Sequence, residues 1–133
     1  MVFHYKYYLT SDFKYITLDR VYDGDTFFVN IKYVNKLLGK RIGIRINGID
    51  TPELRTKDQC EKTRGIAAKL YLKMKLDNAK KILLKGCKRG KYFRLVCDVI
   101  VDGENIGDLL VEKGYGYFYS GGTKPEIDYC KNK

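Results

Sequence analysis

Three short stretches of the chain hold carboxylate and guanidinium groups in arrangements that a plain fold does not require. The first is "VYDGDTFFVNI", residues 21–31. One Asp-Gly is enough to turn a hairpin, so Asp23 and Gly24 suffice and Asp25 is surplus. The second is "RINGIDTPE", residues 45–53, where Asp50 and Glu53 flank a strand exit. Pro52 holds Thr51 extended, with its carbonyl facing outward. The third is "KRGKYFR", residues 88–94, a cationic turn from which Arg94 emerges between apolar residues; an arginine in such a place is rarely left unpaired. Taken singly, each has an ordinary reading: a hairpin turn, a strand-end loop with surface acids, a solvated basic hairpin. Taken together, Asp25 and Asp50 fall near the same ends of neighbouring strands. Two carboxylates and a carbonyl form the oxygen-only ligand set of Ca²⁺ or Mg²⁺. In a chain of net charge +10, anions gathered at one point make sense if a metal lies between them and a phosphate. Arg45 carries the fork that grips phosphate oxygens in bidentate fashion.

The elements that must position these groups follow from apolar periodicity. "KYITLDRVYD" reads as a strand ending at the Asp23-Gly24 turn, and "TFFVNIKYV" as the next. "GKRIGIRINGI" is a third, with Ile42, Ile44 and Ile46 on one face and Arg41, Gly43, Arg45 and Asn47 on the other. Pro52 ends it. From Cys60 to about Asn78 the spacing of Ile66, Ala67, Leu70, Tyr71 and Met74 predicts a helix with those residues on its apolar face. "KKILLKGC" and "YFRLVCDVIV" are the fourth and fifth strands, joined by the basic turn "KRGK"; Tyr92 and Arg94 then share one face of the fifth. "ENIGDLLVEKG" is a short helix capped by Gly114. Residues 1–12 read as an N-terminal extension with an added strand, and 13–133 as one domain. The expected fold is α+β, mainly β: a five-stranded OB-type barrel with two to three helices.

Composition narrows the class. A length of 133 residues with 44% hydrophobic content suits one domain with a core. The positive charge favours nucleic acid over an anionic membrane surface. No apolar run approaches the ~20 residues of a membrane span, and no signal peptide is visible; the expectation is an intracellular chain, although a secreted mature form would look the same. The four cysteines, at 60, 87, 97 and 130, offer no Cys-x-x-Cys pair for zinc. The sequence leaves disulfides open; an intracellular chain keeps its thiols reduced, and on that reading the four are small core or surface residues. The single histidine, His4, is read as structural.

In family order, "DGDT", "RINGIDTPE", "CEKTRGIAAKLYLKMKL", "KYFR" and "VDGENIGDLLVEKGYG" resemble the staphylococcal (micrococcal) nuclease family over residues 14–122. The resemblance implies Ca²⁺-dependent hydrolysis of phosphodiester bonds in DNA or RNA, with Mg²⁺ the less expected ion. It implies Asp25, Asp50 and Thr51 as metal ligands, and Glu53 as the residue that positions or deprotonates the attacking water. Arg45 and Arg94 are implied as phosphate-binding arginines, Lys91 and Tyr92 as contacts to a neighbouring phosphate, and Asp23 as an acid supporting the site. Tyr119 matches the nucleotide-pocket tyrosines, with Tyr117 competing for the part. The chain departs from the family where Phe93 replaces a glycine and Gly90 an acid. The C-terminal helix is reduced to about "PEIDYCKNK", one or two turns at most. A monomer is expected. The rival to catalysis is an OB module that binds single-stranded nucleic acid on basic grooves and aromatic platforms. A third reading, a basic protein docking on acidic partners or membranes, accounts for the charge and for none of the motifs.

Overall fold

The computed structural model describes residues 11–131. It consists of strands β1 (Ser11–Phe13), β2 (Ile16–Val21), β3 (Thr26–Ile31), β4 (Ile42–Ile46), β5 (Ile49–Asp50), β6 (Ile82–Arg89), β7 (Arg94–Val101), β8 (Glu104–Asn105) and β9 (Tyr117–Phe118). Three helices accompany them: α1 (Lys36–Gly39), α2 (Gln59–Asp77) and α3 (Ile106–Glu112). The main sheet runs β1-β6-β7-β4-β3-β2. Only Lys14 and Tyr15 separate β1 from β2, so one stretch of chain pairs with β6 at one end of the sheet and with β3 at the other, and the sheet curls into the expected OB-type fold. The parallel pair β4–β7, with Gly43 opposite Arg94 and Ile46 opposite Cys97, sets the face that carries the arginines. His4 and the rest of residues 1–10 lie outside the described residues.

Alternation dictates the core. Phe27, Val29, Ile44, Ile46, Leu84, Cys97 and Val99 point inward and are buried. Helix α2 closes one end. Asp58 caps it, its carboxylate accepting from the amides of Cys60 and Glu61. The helix buries Gly65, Ala68, Leu72 and Leu76. That corrects the expected face, since Ile66, Leu70 and Met74 are exposed. The reason is close approach: a Cβ on Gly65 would lie 2.8 Å from the Pro52 carbonyl oxygen and 2.9 Å from that of Glu53. Small residues therefore win the buried side over larger apolar ones. Helix α3 ends as expected, with Gly114 at φ +81 and the Tyr115 amide donating to Leu110.

The β6–β7 hairpin also differs from expectation. Lys88 and Arg89 belong to β6, and β7 begins only at Arg94. Tyr92 (φ 57) and Phe93 (φ 60) are the central residues of the turn, and the Arg94 amide donates to the Lys91 carbonyl at 3.2 Å. This is a type I′ geometry, which normally takes Asn-Gly. Tyr92 and Phe93 are 86% and 87% exposed, so little burial offsets the left-handed backbone. Phe93→Gly is expected to raise stability by about 1 kcal/mol, read from the urea midpoint. Phe93→Ala, which keeps the Cβ, is expected to gain nothing; an equal gain from both would refute the backbone explanation.

All four cysteines are paired, Cys60 with Cys130 and Cys87 with Cys97. This corrects the expectation of reduced thiols. Sequence separations of 70 and 10 residues give no spacing signal, whereas the fold brings the Cα atoms to 5.1 and 4.2 Å. The C-terminal stretch from Pro125 forms no helix among the described residues, only a turn at Tyr129–Lys131, where the Lys131 amide donates to Asp128.

Candidate active site

The β2–β3 turn, the end of β4 and the β5 exit meet at one end of the barrel. In the turn, the amides of Tyr22 and Asp23 donate to the Thr26 carbonyl, and the Asp25 amide donates to the Asp23 carboxylate at 3.1 Å. Asp23–Gly24 thus makes the bend and leaves the Asp25 side chain free to turn inward. Gly24 is required by packing, since a Cβ there would lie 2.7 Å from Ala68 Cβ of α2. The Ile46 amide donates to the Asp25 carbonyl, tying the turn to β4.

Asp25 and Asp50 are 6% and 4% exposed, and one guanidinium spans them. Arg45 Nη1 lies 3.3 Å from Asp25 Oδ2, and its Nη2 lies 3.2 Å from Asp50 Oδ1. Thr51 donates to Asp25 Oδ2 from both its amide and its hydroxyl, each at 3.1 Å, and the Thr26 hydroxyl donates to Oδ1. Burial pushes the Asp25 carboxyl up, but Arg45 and these hydrogen bonds outweigh it and hold the group below the usual carboxylate range. The opposite holds for Asp23, pushed up to about 7 by burial and by the neighbouring Asp25 charge.

Asp50 has two further partners. The Tyr117 hydroxyl donates to its Oδ2 at 2.7 Å, and Lys124 Nζ lies 3.0 Å from the same oxygen. Burial and the bond to Asp50 push the Tyr117 phenol well above its ordinary value. Burial draws the Lys124 ammonium down, but Asp50 and Glu53 more than reverse that and raise it. Glu53 is exposed. Its amide donates to the Glu61 carboxylate at 3.0 Å, which anchors the loop to α2, and its own carboxylate lies 3.5 Å from Lys124.

Of the residues singled out from sequence, Asp23, Asp25, Arg45, Asp50, Thr51 and Glu53 come together. Arg94 lies on the same sheet face as Arg45, two positions away. Its side chain crosses Gly43, where a Cβ would meet its Cγ at 2.9 Å. Its Nε donates to the Lys91 carbonyl, and its guanidinium lies over the Tyr92 ring. Among the described residues it makes no ion pair with the acids. Lys91 and Tyr92 are exposed at the hairpin tip. The Tyr119 hydroxyl donates to the Gly122 carbonyl, so the tyrosine in contact with the acids is Tyr117. Lys124 escaped the sequence reading entirely. It follows two glycines in a polar tail, with no motif around it.

The acids fit a hard cation. Every donor is oxygen, and the two buried carboxylates converge closely enough for one guanidinium to touch both. The amide and hydroxyl of Thr51 are committed to Asp25, which leaves its carbonyl as the donor it can offer.

The sequence matches the family described as "Staphylococcal nuclease homologue" over residues 43–132. It is 36% identical over 115 residues to Endonuclease YncB of Bacillus subtilis (strain 168), covering 82% of this chain and 51% of that protein. It is 36% identical over 119 residues to the SPbeta prophage-derived endonuclease YokF of the same organism, covering 82% and 36%. A Bacillus anthracis protein named as uncharacterized is 33% identical over 96 residues, covering 71% and 42%. The chain thus spans about half the length, or less, of these curated relatives. With the motif order, the barrel and the converging acids, the match over most of its length shows that this chain belongs to the staphylococcal nuclease homologue family.

Proposed function

We propose that the chain is a metal-dependent nuclease that hydrolyses phosphodiester bonds of DNA or RNA, with Ca²⁺ the expected ion and Mg²⁺ the less expected, acting as a monomer. The observation that carries this reading is the gathering of Asp25 and Asp50 on Arg45, with Glu53 joined to Asp50 through Lys124, in a chain of net charge +10. The family membership and the relatives named endonucleases support it. A phosphodiester is shielded from nucleophiles by its own charge. Asp25, Asp50 and the Thr51 carbonyl would hold the cation, which when bound supplies Lewis-acid polarisation of a phosphate oxygen. Arg45, next to the same acids, binds the phosphate and stabilises the charge that develops on it. Arg94 lies on the same face and reaches the phosphate by leaving its rest position over Tyr92. Glu53, exposed at the loop, positions or deprotonates the attacking water. Asp23 supports the turn that aims Asp25, and Lys91, Tyr92 and Tyr119 hold the flanking nucleotides. A purely binding barrel gains nothing from three acids placed beside phosphate-gripping arginines.

The test is cleavage of single-stranded DNA, duplex DNA and RNA with Ca²⁺, with Mg²⁺ and with chelator, alongside Glu53→Ala. Cleavage that needs metal and collapses in the variant supports the nuclease. Tight, salt-sensitive binding with no product under any ion would make the chain a binding barrel. We also infer an oxidising working compartment rather than an intracellular one, supported by the two disulfides. Recovery of the native chain from its host with both links reduced would overturn that.

A further inference from the structure

The segment from Tyr119 to Cys130 forms neither helix nor strand, yet it is fastened across the mouth of the site. At one end the Tyr119 amide donates to the Gly48 carbonyl at 2.8 Å, and the Tyr119 hydroxyl holds the Gly122 carbonyl at 2.6 Å. At the other end Arg64 Nε donates to the Tyr129 carbonyl at 2.9 Å, and Cys130 is bonded to Cys60 at the start of α2. Between these anchors the strap forms one wall of a cleft of about 290 Å³. Asp50, Thr51, Glu53 and Glu61 line the same cleft. Lys124 reaches across, with its ammonium 3.0 Å from Asp50 and 3.5 Å from Glu53.

We propose that Lys124 is an internal counter-ion that sets the affinity of this site for divalent cations, and that the Cys60–Cys130 link keeps it in place. The inference rests on reading Asp25 and Asp50 as cation ligands. The site meets two demands that conflict. Without a metal, Asp50 and Glu53 are stabilised by a nearby positive charge. With a metal, a second cation within contact distance of Asp50 repels the ion. Lys124 can satisfy both because it is carried on a segment with no secondary structure, with Gly121 (φ +105) and Gly122 (φ +82) just before it. With Arg45 already across Asp25 and Asp50, it adds a second positive charge on Asp50 and one on Glu53 when the ion is absent, and swings aside when the ion arrives. Every cation bound must therefore displace an ammonium, which lowers apparent affinity. The covalent tether raises the local concentration of that ammonium, so cutting it weakens the competition. The scissile phosphate, arriving with the metal, offers the displaced lysine a new anion to face.

The test is calorimetric titration of the full chain with Ca²⁺ alone, in the absence of nucleic acid. Lys124→Met is expected to bind Ca²⁺ about 5- to 10-fold more tightly, the effect of one half-exposed charge at contact distance. The gain should shrink as salt is added. Lys124→Arg keeps the charge and should stay within about twofold of the parent. Cys60→Ser/Cys130→Ser should shift the same way as Lys124→Met, by less. A Lys124→Met affinity equal to or weaker than the parent's overturns the proposal. So does the absence of Ca²⁺ binding in both proteins. Asp25→Asn separates the two readings: if it binds Ca²⁺ like the parent, the ion sits elsewhere and the assignment of the ligands falls as well.

Discussion

Arg45→Ala is expected to lower turnover by about 10²–10³ at saturating nucleic acid and metal, and to lower the stability of the metal-free protein as well. The two effects share a cause. The guanidinium spans Asp25 and Asp50, each held within 3.3 Å. Without it, two buried carboxylates face each other with only the Thr51 and Thr26 donors, Tyr117 and Lys124 to compensate. Removing one partner of a fully buried pair costs roughly 3–5 kcal/mol. The Arg45 side chain is 20% exposed and Lys124 stays on Asp50, so the expected loss is on the order of 2 kcal/mol. Ca²⁺ then separates this from ordinary damage. An ion bound between the acids replaces the missing charge, and at about 100 times its dissociation constant it returns about 2.7 kcal/mol. The urea midpoint of Arg45→Ala should therefore rise more with Ca²⁺ than that of the parent. Arg45→Lys should retain stability better than activity, because it keeps the charge and loses the fork. Turnover of Arg45→Ala within threefold of the parent would end the assignment of Arg45 to the phosphate.

The convergence of Asp25, Arg45 and Asp50 was legible in the sequence because strand alternation fixes which side chains share a face. Thr26 pairs with Arg45 across β3–β4, so Asp25 and Asp50 are carried to the same end of the barrel. The buried face of α2 was not legible. Ile66, Leu70 and Met74 make the stronger apolar stripe, but the loop backbone at Pro52–Glu53 and the turn at Gly24 come too close for anything larger than Gly65 and Ala68. Hydrophobic pattern scores area and is blind to such approach. Tyr92 and Phe93 read as strand residues because aromatics favour strands; the turn they occupy demands a backbone that only glycine or asparagine advertises. Lys124 and its acids are far apart in sequence and joined through a tail that has no periodicity. The same tail carries Cys130, so the disulfide and the lysine escaped notice for one reason.

That difference between framework and tail decides which disulfide matters more to the fold. Loop-closure entropy alone favours Cys60–Cys130, whose 70-residue separation corresponds to about 4.4 kcal/mol, over Cys87–Cys97, whose 10 residues correspond to about 2.7 kcal/mol. The expected order in this protein is the reverse. Cys87 and Cys97 are 3% and 0% exposed, on strands β6 and β7, which pair on both sides of an irregularity between Lys85 and Lys88 where Cys87 sits, so that the ladder holds the two strands together beside the link. Breaking it frees only the unfolded chain and leaves a void in the core, so Cys87→Ala/Cys97→Ala should cost about 3 kcal/mol or more. Cys130 instead anchors a strap that is mostly exposed and lies outside the sheet. When that link is cut the strap detaches, the folded state regains much of the same freedom as the unfolded one, and the global loss should be on the order of 1 kcal/mol. Urea unfolding of the two double variants checks the order. If Cys60→Ser/Cys130→Ser proves the less stable, the strap is part of the cooperative fold, and Lys124 would then leave Asp50 by rotation of its own side chain and not by movement of the strap.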